Sequence, residues 1–344
     1  MAQLNYPCGV FVSNDEVFIA DTFNHRVRKL LRNGQIVTIA GNGIKGYNGD
    51  SQLATSAQLD HPISVVVSSS DQVYISSGNR IRKIDRNGII STIAGTGIGG
   101  YNGNDQLAVN AQLNSPYGLF VTDDEEVFIA DKQNHRVRKI DRNGMISTIA
   151  GNGDDNYNGD GQLATSASLD RPTGVFQYKH EIYIADNGNN RIRKIDRNGI
   201  ISTIAGSEIC NFPESIFVHN DEVYFSSCNR VCKIRCNGMF KTLPRSEYNG
   251  FENDESSLNS STGIFVDDDS QIFIADAFDH CIKRMDQDGR ISTISGTIGK
   301  RGYLGDVPFD FHKYPHIGPR KKSKIKPFPK AYYDLIVICE ISID

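Results

Sequence analysis

The stretch Asp85-Arg86-Asn87-Gly88-Ile89-Ile90-Ser91-Thr92-Ile93-Ala94-Gly95 decides the fold, because the chain writes it again and again. DRNGMISTIAG fills 141–151 and DRNGIISTIAG fills 196–206. LRNGQIVTIAG (31–41), DQDGRISTISG (286–296) and RCNGMFKTLPR (235–245) are looser copies. A second anchor precedes each copy: VFIAD ending at Asp21, VYISS at Ser77, VFIAD at Asp131, IYIAD at Asp186, VYFSS at Ser227 and IFIAD at Asp276. These anchors are 56, 54, 55, 41 and 49 residues apart. A fixed period near 50 residues is the signature of a repeat architecture, and it takes precedence over local readings.

One unit reads as four short strands. In the third unit, Gly118-Leu119-Phe120-Val121 is an apolar run suited to a strand buried on both faces. Asp123-Asp124-Glu125 turns the chain, Val127-Phe128-Ile129-Ala130 returns, and Arg136–Ile140 and Ile146–Ile149 follow. Asn143-Gly144 predicts a two-residue type I′ hairpin, with both central residues at positive φ. Four antiparallel strands cannot bury both faces alone, and radial repetition solves this. The prediction is an all-β, six-bladed β-propeller of four-stranded antiparallel blades, with no helix in the first 296 residues. A β-solenoid is the competing architecture.

Composition narrows the function classes. Hydrophobic residues make up 38% of the 344 residues and charged ones 23%, which is globular. No run approaches the ~18 apolar residues of a spanning helix. Residues 1–296 hold 28 Lys+Arg against 36 Asp+Glu, while 297–344 hold 9 against 5. An acidic body gives no general attraction to nucleic acid. Seven irregularly spaced cysteines fit a reducing compartment, so a cytoplasmic location is expected. Cys228, Cys232 and Cys236 have metal-like spacing, but on a strand their ends lie about 26 Å apart, too far for one zinc ion. The acidic turns lack the ligand spacing and central Gly of a calcium loop. Gly41-Asn42-Gly43, Gly95-Thr96-Gly97 and Gly151-Asn152-Gly153 precede loop rather than helix, so a dinucleotide reading fails. No cofactor or metal is expected.

Pro116-Tyr117-Gly-Leu-Phe-Val121, then Ile129-Ala-Asp131, then Asn134-His-Arg-Val-Arg-Lys-Ile140 resembles an NHL repeat. The GYNGD-x-QLAT-x-AQL segment between units is similar to the longer variant of teneurin-like proteins. The resemblance covers about residues 1–306. It implies a propeller acting mainly in protein or RNA binding. Related propellers include the peptide-amidating lyase and the lactonase and strictosidine-synthase types, so fold alone does not assign function.

Two sets of residues stand out. Asp21/Arg26, Asp131/Arg136 and Asp186/Arg191 flank one loop in each unit, and are expected to form structural ion pairs across it. Units two and five have Ser77 and Ser227 and a loop two residues shorter. The second set lies on the face carrying those loops and the long crossovers, where sequence varies on a fixed frame. Just before each first strand a Pro-x-Gly/Ser element holds Cys8, Ile63, Tyr117, Thr173 or Glu214, and Thr262 fills the weaker sixth copy. Phe23, Lys132, Gln133, Asn187, Asn189 and Phe278 come from the neighbouring loops. Aromatic and charged groups together suit a protein contact. The expectation is a non-enzymatic scaffold binding a protein partner through this loop face. RNA binding is the alternative and needs a basic face. A lyase or lactonase activity needs acids and His converging at the axis.

The ends look like two halves of one crossover. Residues 2–7 (AQLNYP) match 57–62 and 111–116, and 299–306 (GKRGYLGD) match the start of a crossover. The repeat domain is therefore expected over 1–306, a Pro/Lys-rich linker over 307–330 and an isolated strand-like tail, suggesting a truncated further domain, over 331–344.

Overall fold

The computed structural model describes residues 3–235, 237–243 and 257–303. The expected linker, the expected tail and Cys236 lie outside them. The described chain forms six antiparallel sheets, each built in chain order from inside to outside. Blade 3 is representative, with strands Pro116–Val121, Val127–Asp131, Arg136–Ile140 and Met145–Ala150. The first two strands are buried throughout, whereas the outer strand is mostly half-buried. This gradient is what a blade wedged between two others requires. Each blade covers its neighbours' faces, as in radially repeated sheets.

Two expectations about turns change. The hairpin at Asp141-Arg142-Asn143-Gly144 is a longer turn in which Gly144 has φ +76 while Asn143 is not left-handed. Gly144 N–H donates to Asp141 O at 2.9 Å, and Asp141 Oδ1 accepts from the N–H of both Asn143 and Met145. The Asp side chain supplies the local acceptor and only the Gly needs positive φ, as in a turn closed by a bulge. Paired positive φ values occur instead in the first hairpin of blades 1, 4 and 5, at Asn14-Asp15, Lys179-His180 and Asn220-Asp221. Among the described residues helical structure is confined to three-residue 3₁₀ turns such as Thr22–Asn24, Ala54–Ser56 and Lys132–Asn134.

Near the axis, Phe11, Phe120, Phe176, Phe217 and Phe265 occupy one equivalent position on five first strands, with Val66 at the sixth. Successive rings from Phe120 through Phe176, Phe217 and Phe265 to Phe11 are 4.9–5.0 Å apart and tilted or edge-on. This geometry is favourable for aromatic pairs. The belt welds the blades together around the centre.

Crossovers strap one blade to the next. Gln52–Leu53, Gln106–Leu107 and Gln162–Leu163 each add a two-residue strand to the outer edge of the following blade. Within the same crossovers, Ala54 O and Ala57 O accept from Gly41 N–H and Asn42 N–H of the preceding blade, both at 2.9 Å. A Tyr from each crossover then lies against two arginines of the blade it enters. Tyr47 is 3.8 Å from Arg80 and 4.9 Å from Arg82, Tyr101 is 4.0 and 4.9 Å from Arg136 and Arg138, and Tyr157 is 3.9 and 5.0 Å from Arg191 and Arg193. The Gly-x-Gly pieces are the other side of this stack. A Cβ on Gly43, Gly97 or Gly153 would sit 2.2–2.4 Å from the guanidinium of Arg26, Arg80 or Arg136.

The split crossover closes the ring by the same means. Tyr303 lies 3.9 Å from Arg26 and 5.1 Å from Arg28. Gly302 N–H donates to Leu4 O at 3.2 Å, and Asn24 Nδ2 donates to Gly302 O at 2.8 Å. The first and last described segments therefore complete one crossover between blades 6 and 1.

Candidate functional site

The loops between second and third strands meet the ends of the crossovers on one face of the disc. Two consecutive N–H groups set the geometry there. The first belongs to the residue two before the first strand's Pro, and it is held by the last residue of the second strand in its own blade. Asp21 Oδ1 accepts from Asn5, Asp131 Oδ1 from Asn114 and Asp186 Oδ1 from Asp170, each at 2.8 Å. Ser77 Oγ and Ser227 Oγ do the same for Asp60 (2.8 Å) and Asn211 (3.0 Å). The second N–H, on the residue just before Pro, donates to the preceding blade. His61 N donates to His25 Nδ1 (3.3 Å), Ser115 N to Asn79 Oδ1 (2.9 Å), Arg171 N to His135 Nδ1 (3.3 Å), Phe212 N to Asn190 Oδ1 (2.7 Å) and Tyr6 N to His280 Nδ1 (3.0 Å). The repeated His/Asn is thus an interblade clamp. A histidine accepting at Nδ1 carries its proton on Nε2. Burial holds His25 neutral, lowering its pKa to about 4, and lowers His280 in the same direction.

The pairing expected for Asp21, Asp131 and Asp186 is corrected. Asp21 Oδ2 pairs with Arg28 Nη1 at 3.1 Å, Asp131 with Arg138 at 3.6 Å and Asp186 with Arg193 at 3.2 Å. Each partner lies two residues beyond Arg26, Arg136 or Arg191, diagonally across the ladder and equally buried. Arg26 and Arg136 instead donate across to the Gly-x-Gly carbonyls of Asn42 and Asn152. Arg191 donates to Asn189 O. Burial outweighs the neighbouring cations and pushes the three carboxyls up to about 6.

The Pro-x-Gly/Ser residues point inward rather than to solvent. Cys8, Tyr117, Thr173, Glu214 and Thr262 are buried and Ile63 is half-buried. Thr173 Oγ1 donates to Pro213 O (3.0 Å) and Thr262 Oγ1 to Cys8 O (3.1 Å), tying each strand to the next blade. Lys132 is buried with its Nζ 4.3 Å from the Tyr117 ring centroid. Phe23 is half-buried, whereas Gln133 and Phe278 face solvent. The residues just before Pro take another course: Phe212 is exposed, His61, Ser115 and Arg171 are half-buried, and Tyr6 is buried. Tyr6, His61, Ser115, Arg171 and Phe212 all have φ between +42° and +55°. That conformation is uncommon for such side chains, and Pro restricts the preceding residue further. Strain held by two hydrogen bonds per blade is a device for presenting a side chain. Sequence reasoning missed this position, because neither Gly nor Asn marks its positive φ.

Among the described residues, no group of three or more His, Cys, Asp or Glu has a metal-binding arrangement.

The sequence profile of the teneurin NHL domain matches residues 44–102 and 151–216. The repeats of this propeller are similar to NHL repeats. It is 26% identical to zebrafish (Danio rerio) teneurin-3 over 295 residues, covering 76% of this chain and 10% of teneurin-3. Human (Homo sapiens) NHL repeat-containing protein 2 is 23% identical over 359 residues, covering 94% of this chain and 44% of that protein. The chain thus spans from a tenth to under half the length of these relatives. A gluconolactonase from Xanthomonas campestris superposes with TM-score 0.58 at 14% identity, covering 85% of this chain and 87% of the gluconolactonase chain. A chain of a nidogen/laminin complex gives 0.54 at 13%, covering 80% and 95%. Both likenesses concern the fold alone.

Proposed function

We propose that this propeller is a non-enzymatic binding scaffold that holds a protein partner on its loop face. One observation carries the reading. The repeat fixes the backbone of that face through two hydrogen bonds in each of five blades, yet places exposed Phe212 and half-buried His61, Ser115 and Arg171 on equivalent strained positions, with buried Tyr6 at the fifth. Phe23, Gln133 and Phe278 vary beside them. A rigid frame with variable, partly aromatic side chains is the composition of a recognition surface. Tyr117, Lys132, Thr173, Glu214, Ile63 and Thr262 form its floor and set the shape beneath the contact. The acidic balance of residues 1–296 favours a protein over RNA.

The test is site-specific photocrosslinking in source-cell lysate. A photoreactive residue replaces Phe278 or Phe212 on the loop face, or Asn33 or Asn143 on the opposite face. The expected result is a discrete protein adduct from loop-face positions only, unchanged by RNase. Adducts from the opposite face alone, or adducts abolished by RNase, overturn the proposal.

A further inference from the structure

Within that face, one sector departs from the repeat in a consistent direction. Phe278 in blade 6 and Phe23 in blade 1 stand where blades 3 and 4 hold Gln133 and Gly188. The fold therefore does not need an aromatic ring there, and Phe278 is 51% exposed. Tyr6, buried beneath them, joins the two as floor, with ring centroids 5.4 Å from Phe278 and 5.0 Å from Phe23, and half-buried His61 continues the track 5.4 Å beyond Phe23. The border of this track is basic. Lys300 and Arg301 are exposed, and Arg301 lies near enough to His280 to oppose its protonation. On the other side Lys45 is largely exposed, 3.7 Å from Asp60, whose carboxylate also meets His61 Nδ1 at 2.6 Å. The sector across the disc is different, with Ser115, Gln133, Asp154, Asp155 and the Asp170–Arg171 pair.

We infer that the track from Phe278 to His61 binds an extended acidic peptide segment of the partner, anchored by an aromatic side chain. This rests on the loop-face reading and names its chemistry. The track is at most about 16 Å long from its ring spacings, the reach of about five extended residues at ~3.3 Å each. Aromatic anchors on an aromatic floor give contact energy, and flanking carboxylates match the basic border. Charge argues against the chain's own 313–330 stretch as occupant. Its Lys313, Arg320, Lys321, Lys322, Lys324, Lys326 and Lys330 have the same sign as the border.

The test uses the full chain and three fluorescein-labelled peptides of about twelve residues. One has a Trp-x-x-Phe core with acidic flanks, one has the same core with lysine flanks, and one has acidic flanks around an alanine core. Fluorescence polarisation is expected to favour the first by about tenfold or more over both others. Phe278→Ala is expected to weaken it about tenfold or more. The double variant Lys45→Glu/Arg301→Glu should weaken it severalfold and flatten its salt dependence. Asn143→Ala, on the opposite face of the disc, should leave it unchanged. Equal binding of all three peptides, or no binding of any, overturns the inference. So does displacement by single-stranded oligo-uridine, or self-association in sedimentation that Phe278→Ala abolishes. Equal loss in Asn143→Ala and Phe278→Ala also overturns this sector assignment. The crosslinking result decides the loop-face proposal separately.

Discussion

Replacing Tyr303 with Ala tests whether the ring closes through the split crossover. Tyr303 is 3.9 and 5.1 Å from two guanidinium carbons, and Tyr101, in an uninterrupted crossover, is 4.0 and 4.9 Å from its pair. Their exposures are 38% and 37%. Local loss should therefore be equal in the two variants. Each half-exposed cation–π contact contributes about 0.5–1 kcal/mol, more where desolvated, so two give roughly 1–2 kcal/mol. Tyr303→Ala has a further effect that Tyr101→Ala lacks. Tyr101 is tethered by chain on both sides, whereas Tyr303 belongs to the segment whose hydrogen bonds hold Leu4 and Asn24. Its loss should raise local opening of the blade 6/blade 1 joint beyond the global change. Native-state hydrogen exchange reads this directly, with urea unfolding of both variants as the global measure. The expected pattern is similar urea shifts, with faster exchange at Leu4–Val12 and Asp276–Met285 only in Tyr303→Ala. If Tyr101→Ala is destabilised and Tyr303→Ala matches wild type in both assays, the terminal segments do not close the ring as described.

Three further outcomes follow from the joints. Gly153→Ala should lose about 2 kcal/mol more than Gly49→Ala in urea titration. Both have positive φ, but only Gly153 faces a guanidinium, at 2.4 Å, whereas nothing lies within 4 Å of Gly49; equal losses refute the stack. His135→Asn should stay within about 0.5 kcal/mol of wild type, since Asn79 and Asn190 already serve as the clamp, while His135→Ala should cost about 1–2 kcal/mol. The order reversed would mean that the imidazole acts otherwise. For pH, Asp131 has a folded pKa of about 6, above its ordinary 3.8, so the fold binds the extra proton and Asp131's contribution falls as pH rises through 6. His25, lowered to about 4 from 6.5, contributes oppositely, losing stability as pH falls from 6.5 toward 4. Urea midpoints at pH 4.5, 5.5 and 7 should therefore rise more steeply with pH in Asp131→Asn, and less steeply in His25→Asn. Parallel profiles across the three proteins refute both assignments.

The blade count, the strand order and the split crossover were legible because each is written several times, and alignment of copies substitutes for missing partners. The Asp–Arg pairing was not. Counting across the loop from Asp21 reaches Arg26, but its carboxylate lies against the buried diagonal neighbour Arg28. Sequence also pointed one residue too far along at the loop face. Tyr117 and Thr262 share a variable position, yet both side chains are buried, and Thr262, like Thr173, bonds to the next blade; in the five copies that have Pro, the left-handed residue before it rotates the frame. Nothing in the series Tyr, His, Ser, Arg, Phe marks that rotation. The Gly-x-Gly pieces had the opposite fault, with a visible pattern whose cause, a guanidinium lying on the second glycine, comes from another strand.

The hydrogen bond between Gly302 and Leu4 places the way in and the way out of the disc side by side. A unit of this kind adds almost no length to a polypeptide that contains it. It hangs from the backbone like a bead on a short stalk, and tension along the host chain pulls on one seam rather than across six blades. The Tyr303 stack is then the fastener that mechanical load meets first.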